Sequence, residues 1–269
     1  MSDAQIKTAL TIAGSDCSGG AGIQADIKTM LANGVYAASV ITALTAQNTQ
    51  GVFGIHNVPT DFIAKQIDSV FSDIPPNAVK IGMLSSSEIL QCVCEKLCEY
   101  KPNNIVTDPV MISTSGHMLL EKGADEFYKK MLFPISTLIT PNIPEGQFLS
   151  GREISSKEDM ENAAKFLSQK CGCAVLLKGG HSVFDASDVL FDGNEITWFS
   201  VKKSDNPNTH GTGCTLSSAI AANLAKGEDI KSAVFKAKEY ITGAINANLN
   251  LGKGSGPLHH GWNLLKKGF

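Results

Sequence analysis

Thr209-His210-Gly211-Thr212-Gly213-Cys214-Thr215-Leu216-Ser217-Ser218 reads as a glycine loop that runs into a helix. Gly211 and Gly213 leave the backbone free to bend where a side chain would clash. Beyond Cys214, Leu216, Ile220 and Leu224 recur every four residues with small residues between them, which is a helical pattern. The junction then offers free backbone N–H groups at the positive end of a helix dipole, and that suits an anion. Cys214 stands at this N-terminus, where a lowered thiol pKa is expected. A plainer reading stays open, since glycine loops precede many helices and cysteines often pack as small hydrophobes.

Outward from this loop, the whole chain has 269 residues, 43% of them hydrophobic, and a net charge of −3. That is enough for a large core in one α/β domain over residues 1–269. The near-neutral charge points to neither nucleic acid nor an anionic membrane. No apolar run reaches the roughly 20 residues needed to cross a bilayer, and Met1 to Lys7 is no signal peptide, so a cytoplasmic protein is expected. Seven cysteines, an odd count, argue against a disulfide framework. Cys94 and Cys98 share a helix face with Leu90 and Leu97, Cys92 points elsewhere, and Cys171-Gly-Cys173 lacks the usual gap and a second pair. These spacings do not make a zinc site.

Upstream, a short apolar strand, Ala9 to Ala13, meets a second glycine loop, Gly14 to Gly22. A helix follows with Ile23, Ile27, Met30 and Leu31 on one face and Gly34 as its stop. The start is that of a mononucleotide-binding unit, yet it has neither the dinucleotide spacing nor the P-loop Lys-Ser/Thr ending. Asp26, on the edge of that helix's core face, reads by position as a solvated carboxylate. A buried strand, Ala38 to Ala46, ends in Gln47-Asn48-Thr49, and Gln47 can donate to and accept from a heterocycle at once. Further strands (Ala78 to Met83, Asn104 to Thr107, Thr137 to Thr140, Ala174 to Leu177) alternate with helices near Thr60–Ser72, Ser87–Tyr100, Ala124–Met131 and Ser156–Gln169. Asp108 follows one strand end, Glu145 opens a short helix after another, and Lys178-Gly179-Gly180-His181 follows a third. Open α/β sheets bind ligands at this carboxyl edge, where two acids can hold magnesium. Ser113 to Gly123 is glycine-punctuated and reads as a flap. Val189–Phe191 and Glu195–Val201 read as a hairpin, and a last helix spans about Ile230–Ala247. The alternation predicts one doubly wound domain, a mostly parallel sheet with helices on both faces.

These pieces resemble a known family. Ala13-Gly14-Ser15-Asp16 with Ser18 to Asp26, Thr45-Ala46-Gln47-Asn48-Thr49, Lys80-Ile81-Gly82-Met83-Leu84, Asp108-Pro109-Val110-Met111, Thr140-Pro141-Asn142, Lys178 to His181 and Thr209 to Thr215 are similar, in order, to the hydroxymethylpyrimidine/phosphomethylpyrimidine kinases of the thiamine pathway. That family belongs to the ribokinase-like superfamily. The resemblance implies ATP-dependent phosphorylation of 4-amino-5-hydroxymethyl-2-methylpyrimidine and then of its monophosphate. It implies an anion hole at Gly211, Thr212 and Gly213, with Cys214 as the base where most of the superfamily has aspartate. Gln47 and Asp26, with Gly14 and Met83, are implied to hold the pyrimidine. Asn142 and Lys178 fall on the ATP side, and Asp108 and Glu145 in the magnesium and phosphate network. Family members are often homodimers. The nearest alternative is pyridoxal kinase, whose members commonly carry methionine where this chain has Gln47. A thiol transferase with Cys214 activated by His210, or a non-catalytic pyrimidine sensor, leaves Asp108 and Lys178 without a role.

Overall fold

The computed structural model describes residues 6–111, 124–180, 187–200 and 206–264. The apolar run ahead of the first glycine loop becomes β1 (Thr8–Asp16), buried along almost its whole length. A strand buried on both faces needs an unbroken apolar run, not an alternating one. The chain continues through α1 (Gly22–Ala32), β2 (Tyr36–Asn48), β3 (Gly51–Asn57), α2 (Thr60–Asp73), β4 (Ala78–Ile81), α3 (Ser87–Tyr100) and β5 (Ile105–Thr107). Then come α4 (Ala124–Phe127), β6 (Leu138–Ile139), α5 (Ile143–Ser150), α6 (Lys157–Cys171), β7 (Ala174–Leu177), β8 (Asp188–Phe191) and β9 (Ile196–Phe199). Two helices close the described chain, α7 (Thr212–Ala225) and α8 (Ile230–Asn246).

The strands form one sheet in the order β3-β2-β1-β4-β5-β6-β7-β8-β9. From β2 through β7 every neighbouring pair is parallel, whereas β3 at one edge and β8 and β9 at the other pair antiparallel. The expected α/β architecture with a mostly parallel sheet is what forms. β2 lies on one side of β1 and β4 on the other, so the strand order reverses at β1. Ligand crevices form beyond the carboxyl ends of strands at such a reversal.

Side chains alternate along each strand and divide the core into two layers. Leu10, Ile12, Val79, Ile81, Ile139, Val175 and Leu177 pack with α2, α3, α5 and α6. Ala9, Ala78, Val106, Leu138, Ala174 and Leu176 pack with α1, α7 and α8. Lys80, set between Val79 and Ile81, therefore faces the second layer. There α7 is buried at every position from Thr215 to Ala225. Its serines and alanines let α1, α8 and the sheet approach closely, which explains why so few large apolar residues mark it in the sequence.

Two departures from the sequence reading stand out. Gln47 is not in a loop: β2 runs through it, and β3, which the pattern did not announce, pairs with it. The helix expected over Ala124–Met131 is a short α4 followed by a wide π-type turn at Tyr128–Leu132. The flap expected at Ser113–Gly123, and His181, lie outside the described residues.

Candidate active site

The loop that precedes α7 is held open by glycine. Gly211 caps the helix with φ 82° and ψ 10°. A residue with a Cβ pays about 1–2 kcal/mol in that left-handed conformation, and here the Cβ would also strike the carbonyl oxygen of Gly20. The Thr212 N–H turns back to the Thr209 carbonyl at 3.2 Å. The amides of Gly213 and Cys214 are left at the helix tip, where the dipole is positive.

Three strand ends deliver charge to that tip. Asp108 follows β5 and accepts hydrogen bonds at Oδ1 from Lys178 Nζ at 2.7 Å and from Thr140 Oγ1 at 3.0 Å. A Cβ added to Gly213 would lie 3.0 Å from Asp108 Oδ2 and 3.4 Å from Lys178 Nζ. The missing side chain is what lets the ion pair come down onto the helix tip. Lys178 is no surface lysine: burial opposes its charge, but Asp108 and Glu145 raise its pKa above the ordinary value. Glu145 sits in the first turn of α5, where its side chain accepts from the Asn142 N–H at 2.8 Å while Asn142 Oδ1 accepts the Glu145 N–H at 2.9 Å. This reciprocal cap fixes both residues. Burial pushes the Glu145 carboxyl up to about 7, with Asp108 adding to the rise and Lys178 opposing it.

Cys214 lies one turn above Ser218 on the same face of α7. Burial pushes its thiol up to about 11, while Lys80 and the Gly22 amide pull the other way and Asp26 and Asp108 add to the rise. The expectation of a lowered pKa at the helix N-terminus is thus overturned, because loss of solvation outweighs the local positive potential. Asp26 also departs from expectation. It is neither solvated nor open to a ligand from above. It and Lys80 are both 0% exposed and pair at 2.8 Å. Thr11 donates to its Oδ2 at 2.6 Å and Ser218 to its Oδ1 at 2.7 Å. Burial opposes the charge of Lys80, but Asp26, with Cys214 and Asp108, raises its pKa. The pair clamps α1, β1, β4 and α7 together beneath the site.

The other side of the crevice is built from the ends of β1, β2 and β4. Met83 rests its terminal methyl against Gly14. Gln47 has Oε1 3.2 Å from Thr45 Oγ1 and Nε2 3.3 Å from His210 Nε2. His210 also lies 2.8 Å from Asp16 Oδ2. Burial pushes the Asp16 carboxyl up, yet hydrogen bonds from His210 and Ser18 outweigh it and hold the carboxyl below its ordinary value. His210 is turned to Asp16 and Gln47, an arrangement that does not serve the thiol-transferase alternative.

A sheet edge that combines a donor-tipped helix, a lysine–carboxylate pair and an amide recognition point is suited to moving a phosphoryl group. The family model described as phosphomethylpyrimidine kinase matches residues 16–259. The chain belongs to the phosphomethylpyrimidine kinase family. It is a phosphotransferase with the ribokinase-like fold. It is 48% identical over 255 residues to the hydroxymethylpyrimidine/phosphomethylpyrimidine kinase of Streptomyces coelicolor, covering 95% of this chain and 94% of that one. It is 51% identical over 252 residues to the thiamine biosynthesis bifunctional protein ThiED of Geobacter sulfurreducens, covering 93% of this chain but only 51% of that longer protein. The chain therefore spans about half the length of that relative. Among solved structures, the ADP complex of Bacillus subtilis pyridoxal kinase superposes with a TM-score of 0.90 at 36% identity, covering 97% of this chain and 100% of the other.

Within this family member, the sequence reading brought together Gly14 and Met83 on one side, and Gly213, Asp108 and Lys178 on the other. It did not give roles to Asp16, Lys80 or Ser218. Lys80 carried a signal, a lone charge inside the apolar strand Ala78-Val79-Lys80-Ile81, which asks for a buried partner. Ser218 carried none, since a serine in a small-residue helix is unremarkable.

Proposed function

We propose that the chain transfers the γ-phosphoryl group of ATP to the hydroxymethyl oxygen of 4-amino-5-hydroxymethyl-2-methylpyrimidine, and then phosphorylates the monophosphate to the pyrophosphate used in thiamine synthesis. One observation carries this reading: the Gly213 tip of α7 lies under Asp108 and Lys178, and its loop begins at the His210 that touches Gln47. An aminopyrimidine on Gln47, flanked by Gly14 and Met83, has its hydroxymethyl beside that tip. Lys178 and the Asn142 turn face the nucleotide phosphates.

The transfer breaks the bond between the γ-phosphorus and the bridging oxygen, forms one to the hydroxymethyl oxygen, and leaves ADP. The amides of Gly213 and Cys214, the helix dipole and Lys178 offset charge on the group in flight. The hydroxyl proton passes to the Cys214 sulfur. Only a thiolate can accept it, so the active ionisation state is the minor one at neutral pH. A loose transition state draws the proton off late, which suits a base present in small amounts.

Asp108 and Glu145 fit magnesium. Both are hard oxygen donors, and their mutual repulsion helps hold Glu145 up to about 7, which a divalent cation would relieve. Magnesium is typically bound through one or two carboxylates plus phosphate oxygens and waters, and it would neutralise charge on the triphosphate. Asp26, being enclosed, supports α7 from beneath and does not touch the ring.

No helix among the described residues is long and apolar enough to cross a membrane. The cytoplasm is the setting proposed. A homodimer is proposed through the β2–β3 ribbon, where Leu44, Phe53 and Ile55 stand exposed at a sheet edge. The structural likeness to a pyridoxal kinase supports pyridoxal as a side substrate, and Gln47 favours the aminopyrimidine. Phosphorus NMR of the products tests the proposal. Monophosphate followed by pyrophosphate is expected, and no pyrimidine-dependent loss of ATP would remove it.

A further inference from the structure

His210 and Asp16 have no part in the phosphoryl transfer as described, yet they are built with care. Asp16 is 3% exposed and His210 7%. Asp16 Oδ1 accepts the Ser18 amide and hydroxyl, and Oδ2 accepts the amides of Gly20 and Ala21. So many donors keep the carboxylate an anion, and the His210 Nε2 that faces it at 2.8 Å carries a proton. On the far side of Gln47, Thr45 Oγ1 lies 2.9 Å from the Ser15 carbonyl oxygen. A carbonyl only accepts, so the single hydroxyl hydrogen goes there and Oγ1 is left as an acceptor.

Both neighbours therefore ask the same thing of the Gln47 amide. With Nε2 toward His210, the Gln47 N–H meets a nitrogen whose one hydrogen points to Asp16 and which has no lone pair to offer, and with Oε1 toward Thr45, two acceptors face each other. A half-turn about the last side-chain bond exchanges the two nearly isosteric ends, gives Thr45 Oγ1 a donor and lets the Gln47 carbonyl share the Nε2 hydrogen with Asp16.

We propose that the Asp16–His210 pair is a positioning device: it fixes the Gln47 amide with its carbonyl toward His210 and its NH2 toward Thr45, and so decides which way round the pyrimidine lies. The inference rests on the reading that Gln47 meets the ring. The ring's 4-amino group donates and the neighbouring ring nitrogen N3 accepts. The amino group is then held at the His210 end and N3 at the Thr45 end. The hydroxymethyl carbon is attached at C5, next to the amino-bearing carbon and on the side away from N3. Past the amino group, the ring edge leads beyond His210 to Gly211 and the α7 tip, where the phosphoryl group arrives. The reversed amide would turn the ring over and carry the hydroxymethyl away from the tip.

The test uses the ratio of kcat/KM for the 4-amino substrate to that for its 4-oxo analogue, which exchanges donor and acceptor along the same edge. Wild type is compared with His210→Ala, His210→Gln and His210→Asn. The glutamine amide can set an N–H near the position of Nε2, whereas the shorter asparagine reaches only toward Nδ1. The ratio is expected to fall about tenfold, the scale of one hydrogen bond, in the alanine and asparagine variants. It should largely recover in the glutamine variant, with KM for ATP unchanged throughout. If the alanine variant does not fold, the glutamine–asparagine pair carries the comparison. An unchanged ratio in His210→Ala, or equal recovery by asparagine and glutamine, would overturn the inference alone. A wild type that does not phosphorylate the 4-amino substrate would overturn the proposed function, and this inference with it.

Discussion

Removing Lys80 and the charge of Asp26 together should damage the protein less than the two separate losses summed. The two side chains are wholly buried, with Nζ 2.8 Å and 3.0 Å from the carboxylate oxygens. Lys80→Met keeps the bulk but strands a carboxylate among Thr11 and Ser218, whose hydroxyls offset only part of its lost solvation. Breaking one side of such a pair costs about 3–5 kcal/mol. At roughly 2.1 cal/mol/K per residue, a chain of 269 residues has an unfolding entropy near 0.56 kcal/mol/K, so the loss is about 5–9 °C in Tm. Asp26→Asn alone strands the ammonium and should cost a similar amount. In the double variant no charge is left buried: the asparagine carbonyl keeps one of the two hydroxyl donors, Thr11 or Ser218, and its NH2 donates to the oxygen of the other. The double variant should therefore lose at least about 2 kcal/mol less than the sum of the singles. Calorimetry or urea unfolding of the four proteins measures this cycle. Losses that add to within about 0.5 kcal/mol would refute the reasoning, since independent sites add to that precision. Kinetics give a second check. An enclosed Asp26 leaves KM for the pyrimidine within about threefold in the double variant, whereas a carboxylate that touched the ring would raise it more.

Three further outcomes follow from the same structure. Iodoacetamide labelling of Cys214, read from its peptide by mass spectrometry, should rise about tenfold per pH unit from pH 7 to 9, because burial pushes the thiol up to about 11 and only the thiolate reacts; a plateau below pH 8 would contradict this. The Glu145 carboxyl is pushed up to about 7 in the folded protein, above its unfolded value near 4.3, so its fold-stabilising proton is fully bound at pH 4 and the stability is lost as pH rises through 7. In magnesium-free buffer Glu145→Gln should then be more stable than wild type by up to about 3 kcal/mol at pH 8 and no more stable at pH 4, and equal unfolding at both pH values would count against it. Phe53, 71% exposed on β3, should hold the proposed dimer, so that Phe53→Glu sediments as a monomer with its helicity intact; an unchanged sedimentation coefficient would send the interface elsewhere.

The fold was legible because the α/β code is local. Apolar runs, glycine loops and four-residue periods alternate from Ala9 to Ile245, and each strand end carries a polar residue. That alternation also set Asp108, Glu145 and Lys178 at strand ends on one edge without any structure, and the family resemblance added Gly14 and Met83. β3 escaped because it is an exposed edge strand: one face of a two-stranded ribbon has little apolar pattern to show, and Gly54 interrupts it. The Asp26–Lys80 pair escaped because its partners are 54 positions apart, and a helix carboxylate looks solvated until a buried cation is brought to it. The ionisation of Cys214 was misjudged for a physical reason. The dipole at a helix start is visible in sequence, whereas burial depends on how closely α1 and the sheet pack over it. The joint demand of His210 and Thr45 on Gln47 is a three-body matter that no spacing encodes.

The most direct measurement is ADP release with magnesium-ATP, comparing hydroxymethylpyrimidine, its monophosphate and pyridoxal, in wild type and Cys214→Ala. The account predicts turnover on both pyrimidines, weak turnover on pyridoxal, and a loss of about 10²–10⁴ in kcat for the variant, the scale of a general base. Turnover on pyridoxal alone would contradict the role given to Gln47, and full activity in Cys214→Ala would contradict the role given to the thiolate.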